Sequence, residues 1–279
     1  MKRCAALLPL LVLLLVPAGC GSKDALELDP VAEAATKTAE HGSSRVEFTM
    51  DMTVAGGSIA MTGTGIFDYR NSRGSVTYRM AIPQLGDVTM DMRMVGTKMY
   101  MRMPKELTGG AGLPSGKQWL GFDLGKSLEQ AGLGGLDFTQ QQDPAQTLRL
   151  LRAASRGVTE AGAAEVRGVD TTRYVGVMDF RKALEAGLDQ LGMSAAERKK
   201  ARDAMKSMVD QLASGSLPFE VFVDKDGLVR RLKMDLTMKA EGEQVTMAMQ
   251  MDYFDFGVAV DVEAPPASSV FDVTDQLQP

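Results

Sequence analysis

The chain has 279 residues, 44% of them hydrophobic and 24% charged, which is enough to bury a substantial core and incompatible with a disordered or fibrous protein. Its formal charge of −5 argues against a nucleic-acid binder. Aromatic residues are sparse at 6% whereas methionine occurs 20 times, so thioether side chains carry an unusual share of the apolar load.

The N-terminus reads as an export signal: Lys2 and Arg3, an apolar run from Ala5 to Val16, then Pro17-Ala18-Gly19-Cys20. The run is too short to span a bilayer. Ala18-Gly19-Cys20 resembles a bacterial lipobox, in which the cysteine thiol is acylated and becomes the new N-terminus. Residues 1–19 are therefore expected to be a signal peptide, and residues 20–42 a lipidated N-terminus, short tether and N-terminal helix. Cys4 would leave with the leader, so Cys20 would be the sole mature cysteine and no internal disulfide could form. Two or more acyl chains anchor a protein stably, which predicts a lipid anchor at the cell membrane, on its extracytoplasmic face. The tether from Gly21 to Pro30 reaches at most about 35 Å, keeping the folded body near the lipid surface.

From Val31 to His41 the chain is rich in Ala and Glu and predicts a short helix stopped by Gly42. His41 is the only histidine, and it lacks the partners a zinc site requires. Period-two alternation then takes over. Val46, Phe48, Met50, Met52 and Val54 share one strand face against Glu47, Thr49, Asp51 and Thr53. The pattern recurs through Ile59, Met61 and Phe67, through Val76 to Ile82, through Val88, Met90, Met92 and Met94, and through Met99, Met101 and Met103. Turn residues separate these runs, so five strands form an antiparallel meander with one wet face.

Gln118 to Phe122 reads as a further strand, followed by an ambiguous Gly-rich stretch from Leu124 to Leu136. Asp143 and Pro144 open a predicted helix through Leu151. Strands are expected again from Val158 to Phe180, then a second helix capped by Ser194 and Glu197 with an apolar stripe from Ala201 to Leu212. Three long strands follow, Leu217 to Val223, Leu228 to Met238 and Val245 to Phe256. Asp224-Lys225-Asp226-Gly227 joins the first two as a hairpin turn; Leu232 stands where a calcium loop would need glutamate. The tail after Pro265 is expected to pack along an edge. Residues 43–279 read as a single domain, with the terminal strands completing the sheet begun by the first five.

No catalytic pattern emerges, and the chain does not read as an enzyme. Gly125-Lys126-Ser127 resembles the end of a phosphate-binding loop, but Leu120 occupies the position of its upstream glycine. No Gly-x-Ser-x-Gly or His-Glu-x-x-His sequence occurs, and the carboxylates alternate on strand faces that read as solvent-exposed. No cofactor is implied.

The methionines then need an explanation. Ordering a methionine costs up to ~1.5–2 kcal/mol of rotamer entropy against ~0.5–1 for leucine or isoleucine, a penalty that shrinks where the side chains stay mobile around varied guests. Met50, Met52, Met61, Met80, Met90, Met92, Met94, Met99, Met101, Met234, Met247 and Met249 are accordingly the expected wall of a pliable apolar cavity. Gly63 and Gly65, on the same face, would leave space within it. Two other readings stay open: a ligandless envelope interaction or scaffold module with a full core, and a methionine-based Cu(I) buffer drawing on Met90-x-Met92-x-Met94.

Several segments together resemble a known family: the lipobox at Cys20, the helix before Val46-Glu47-Phe48-Thr49-Met50, Val95-Gly96-Thr97-Lys98-Met99-Tyr100, the Trp119 strand, and Leu217 to Asp224 followed by Gly227-Leu228-Val229-Arg230-Arg231. These are similar to the actinobacterial LprG/LppX-type lipoproteins, relatives of the LolA and LolB carriers. The resemblance implies an α+β half-barrel of antiparallel strands, with helices over the concave face enclosing a cavity. The helices near Leu148 and Met205 would form its lid. It also implies a lipid or similarly apolar ligand and no catalytic residues.

Overall fold

The structure, a computed structural model, describes residues 29–54, 57–82, 86–102, 104, 113–130, 155–179, 216–240 and 243–276, together with isolated residues between 181 and 203. Helix α1 (Asp29–Glu40) leads into a meander of β1 (Ser43–Val54), β2 (Gly57–Asp68), β3 (Arg73–Ile82), β4 (Gly86–Val95), β5 (Lys98–Arg102) and β6 (Trp119–Asp123). Helix α2 (Leu124–Gln130) follows in the stretch that is ambiguous by sequence. The remaining strands are β7 (Ser155–Val166), β8 (Val169–Asp179), β9 (Ser216–Asp224), β10 (Val229–Ala240), β11 (Glu243–Phe254) and the short β12 (Val270–Asp272). All of them lie in one sheet, in the order β12-β6-β5-β4-β3-β2-β1-β11-β10-β9-β8-β7. The first and last meanders join through the antiparallel pair β1–β11, in which Val46 stands opposite Tyr253 and Met52 opposite Met247. The helix expected over 143–151, the apolar stripe of the second helix beyond residue 203, and with them the expected lid, lie outside the described residues.

Paired residues of an antiparallel ladder point to the same side of the sheet, so the register assigns every strand residue to a face. One face carries the apolar set. Its core gathers Val46, Phe219, Val221, Val223, Val229, Leu232 and Tyr253 from four strands. Helix α1 closes this core by burying Val31, Ala34 and Ala35, whose small side chains let the helix backbone come close. The Thr38 hydroxyl donates to the Ala34 carbonyl at 2.7 Å and accepts the Val229 amide at 2.9 Å, so this buried polar group is satisfied while it fastens helix to sheet. The helix stops at Gly42, whose φ of +78° suits glycine and whose N–H bonds the Ala39 carbonyl at 2.9 Å.

The β9–β10 turn is a hairpin built on the Asp224 carboxylate. One oxygen accepts the amides of Asp226 and Leu228, each at 2.9 Å, and the other meets Arg230 Nε at 2.6 Å. On the polar face, Arg231 makes two 2.6 Å bonds to Asp252. Both carboxylates are buried, which corrects the expectation that the strand carboxylates face solvent. The alternation marks them as polar but not as covered.

The wet face is also less open than expected. After β11 the chain is pinned to the start of β1 by the Gly257 N–H to the Ser43 carbonyl (2.9 Å) and by the Ser43 hydroxyl to the Val258 carbonyl (2.6 Å). It then crosses the polar side of the meander, where Arg93 donates to the Glu263 carbonyl at 3.1 Å and stacks over the Trp119 ring at 5.0 Å. It ends as β12, parallel to β6 at the sheet edge, because a tail that recrosses the sheet re-enters in the direction of β6.

Glycines in the strands make room for neighbouring rings. A Cβ on Gly176 would lie 2.6 Å from the ring of Phe219, itself 3% exposed, and 3.0 Å from Val158. Gly176→Ala should therefore cost about 1–3 kcal/mol by overpacking. A thermal midpoint equal to that of the parent would show instead that Phe219 moves aside freely.

Candidate functional site: the methionine-rich face

The register places all twelve sequence-selected methionines on the apolar face. Met234, Met249, Met50, Met61 and Met80 stand opposite one another in a single row across β10, β11, β1, β2 and β3. In the next row Leu236, Met247, Met52 and Ile59 are opposed. On β4, Met90 faces Tyr78, while Met92 and Met94 pair with Met101 and Met99 of β5. The alternation identifies the face. The rows follow from pairings between strands distant in sequence and are invisible in the alternation alone.

Burial grades along this face. On β1 it runs from Val46 and Phe48, 2% and 7% exposed, to half-buried Met50 and Met52. On β10 it runs from Val229 and Leu232 to half-buried Met234, Leu236 and Met238, and on β11 from Tyr253 to half-buried Met251, Met249 and Met247. The packed end is the one beneath α1 and is built of Val, Ala, Leu and aromatic side chains. The end away from it is built largely of methionine, with Leu236 and Ile59 among them, and is half-buried. Met80, Met90, Met92, Met99 and Met101 are also half-buried, and Met94 is buried.

Gly63 and Gly65 do not leave space on this face, contrary to expectation. A Cβ on Gly63 would meet the Tyr78 ring at 3.0 Å, and one on Gly65 would meet Val76 at 2.8 Å. The cross-strand partners fill the gaps, and the Tyr78 ring packs edge-on to Phe48 with centroids 5.9 Å apart. Burial pushes the Tyr78 phenol up, and pushes that of Tyr253 up further, so both remain neutral and the face carries no charge from them.

Among the described residues a cleft of about 340 Å³ opens away from the methionines, between the β7–β8 hairpin tip and the ends of β10 and β11. There Arg167 pairs with Glu47 and lies 4.0 Å over the Phe254 ring, both on the polar face by register. The hairpin, interrupted by two register shifts in its pairing, folds its tip back over that face. This contact of the β7–β8 turn with β1 and β11 has no signal in the sequence. Cys20 lies outside the described residues.

No protein-family model matches the chain. It is 27% identical over 264 residues to a candidate lipoprotein of Streptomyces coelicolor, an overlap of 89% of this chain and 77% of that one. Among solved structures it is similar to the lipoprotein LppX of Mycobacterium tuberculosis, with 12% identity, coverage of 86% of this chain and all of that one, and a TM-score of 0.48. It is also similar to LprF of Mycobacterium bovis, with 12% identity, coverage of 86% and 97%, and a TM-score of 0.44. The name of the Streptomyces relative is that of a lipoprotein, the class that the sequence resembles.

Proposed function

We propose that this chain is an extracytoplasmic lipoprotein, anchored at the cell membrane through Cys20, that binds or carries a lipid or similarly apolar molecule against its methionine-rich face. The observation that carries this reading is the burial gradient. The sheet seals one end of its apolar face with α1 and leaves the other end, where methionines replace branched side chains, half covered. A surface that is apolar, pliable and incompletely buried is what an apolar guest of variable shape would complete. The similarity to a candidate lipoprotein supports the anchored reading, as does the lipobox-like run before Cys20.

The test is uptake of a fluorescent acyl probe by the parent, Met92→Trp and Asp91→Asn. Met92 is half-buried between Val76 and Met101, so a tryptophan there should occupy guest space and lower uptake. Its stability loss should fall below the ~1–3 kcal/mol typical of overpacking a full core. Asp91 lies on the other face, accepting the Thr77 hydroxyl at 2.8 Å, and its replacement should change neither quantity. If the parent takes up no probe and Met92→Trp unfolds several kcal/mol more easily, the interior is a packed core and the scaffold reading replaces this one.

A further inference from the structure

We propose that Met50, Met52, Met247 and Met249, a two-by-two block of directly paired residues on β1 and β11, bind one Cu(I) ion through their thioethers. Met50 stands opposite Met249 and Met52 opposite Met247, so four sulfur-bearing side chains leave the same face from adjacent positions. Cross-strand partners lie about 5 Å apart and same-face residues along a strand about 6.7 Å apart. The centre of the block is therefore about 4 Å from each Cα, within the span of a side chain with three rotatable bonds. A single strand offers no such convergence, because its methionines are spaced along one line.

The surroundings favour a soft cation over a hard one. Met61 and Met234 extend the row on either side, while Phe48, Ile59 and Leu236 fill the adjoining positions. The carboxylate of Asp51 falls on the opposite face. Among the described residues no three His, Cys, Asp or Glu side chains are grouped to hold a metal. Thioethers select Cu(I) and offer little to zinc, calcium or magnesium. They also need no deprotonation, so binding would not depend on the titration of a ligand. All four methionines are half-buried, which leaves them reachable. Met92, Met94, Met99 and Met101 form a second block of the same shape on β4 and β5, but Met94 there is 5% exposed, so the first block is the more accessible.

The experiment titrates the mature protein beginning at acylated Cys20, reconstituted in lipid nanodiscs, with Cu(I) under reducing conditions against a chromophoric Cu(I) chelator. The parent should retain a chelator-resistant equivalent. Replacing Met50, Met52, Met247 and Met249 together by leucine should remove one equivalent, whereas leucines in the second block should leave that equivalent in place. Should the fourfold variant fold poorly, the pairs Met50→Leu with Met249→Leu, and Met52→Leu with Met247→Leu, should each weaken binding by at least about tenfold, the size that losing even an outer-shell partner reaches. X-ray absorption at the copper edge should show sulfur neighbours alone. No resistant equivalent in the parent, undiminished binding in the fourfold variant, or a nitrogen or oxygen shell around copper would each overturn the site. Leucine keeps the face apolar, so acyl-probe uptake by the same variants reports on lipid binding separately from the metal.

Discussion

Replacing Asp224 by alanine should destabilise the protein by about 3–5 kcal/mol, the range expected when one partner of a buried ion pair is removed. The Asp224 side chain is 1% exposed and bonds Arg230 at 2.6 Å while accepting two backbone amides of its own turn. Alanine would strand the partly buried guanidinium and leave the buried Leu228 amide without its acceptor, two penalties that add to the lost attraction. Arg230→Leu in the same chain should recover only part of the loss, because the orphaned amides remain. Arg173→Ala, which breaks a partly exposed pair with Glu220, should cost under about 1 kcal/mol. Urea denaturation of the three variants tests the ordering; an Asp224→Ala unfolding free energy within about 1 kcal/mol of the parent would show that the turn does not depend on this carboxylate. The loss should also reach the apolar face. The same turn seats α1, since Val229 donates to Thr38 and a Cβ on Gly227 would touch the Lys37 side chain at 3.0 Å.

Replacing Cys20 by alanine should move the protein almost wholly from the membrane fraction to the soluble one. The apolar run from Ala5 to Val16 is too short to hold a chain in a bilayer once exported, so attachment would rest on the acyl groups at residue 20. Intact-mass measurement of the parent should show the diacylglyceryl addition on a chain beginning at Cys20. Continued sedimentation of the variant with membranes after a carbonate wash, together with an unmodified parent mass, would remove the anchor from the proposed function.

The strands were legible because alternation is a local property of a pleated backbone. The run Val46, Phe48, Met50, Met52 can hide one face in only one phase, and a one-residue slip would expose the whole apolar set. Hence β1 to β6 and β9 to β11 lie close to where the alternation puts them, and the selected methionines share a face. Burial was less legible. Asp224 and Asp252 look like ordinary strand carboxylates, and only the arrival of Arg230 and Arg231 beside them makes their covered positions tolerable. Gly63 and Gly65 look like vacancies in one strand, yet they are the places where Tyr78 and Val76 of the next strand fit.

By itself, then, the amino-acid order determined which residues are apolar partners of a sheet, where α1 stops, and that Asp224 to Gly227 turns the chain. Tertiary structure alone decided that β1 joins β11, that Met234, Met249, Met50, Met61 and Met80 become one row, and that residues 257–269 cross the polar face to reach β6. The physical reason is range. Side-chain alternation and turn chemistry act over a few neighbouring residues, whereas a row or a covered carboxylate exists only after segments as distant as Met50 and Met249 have closed against each other.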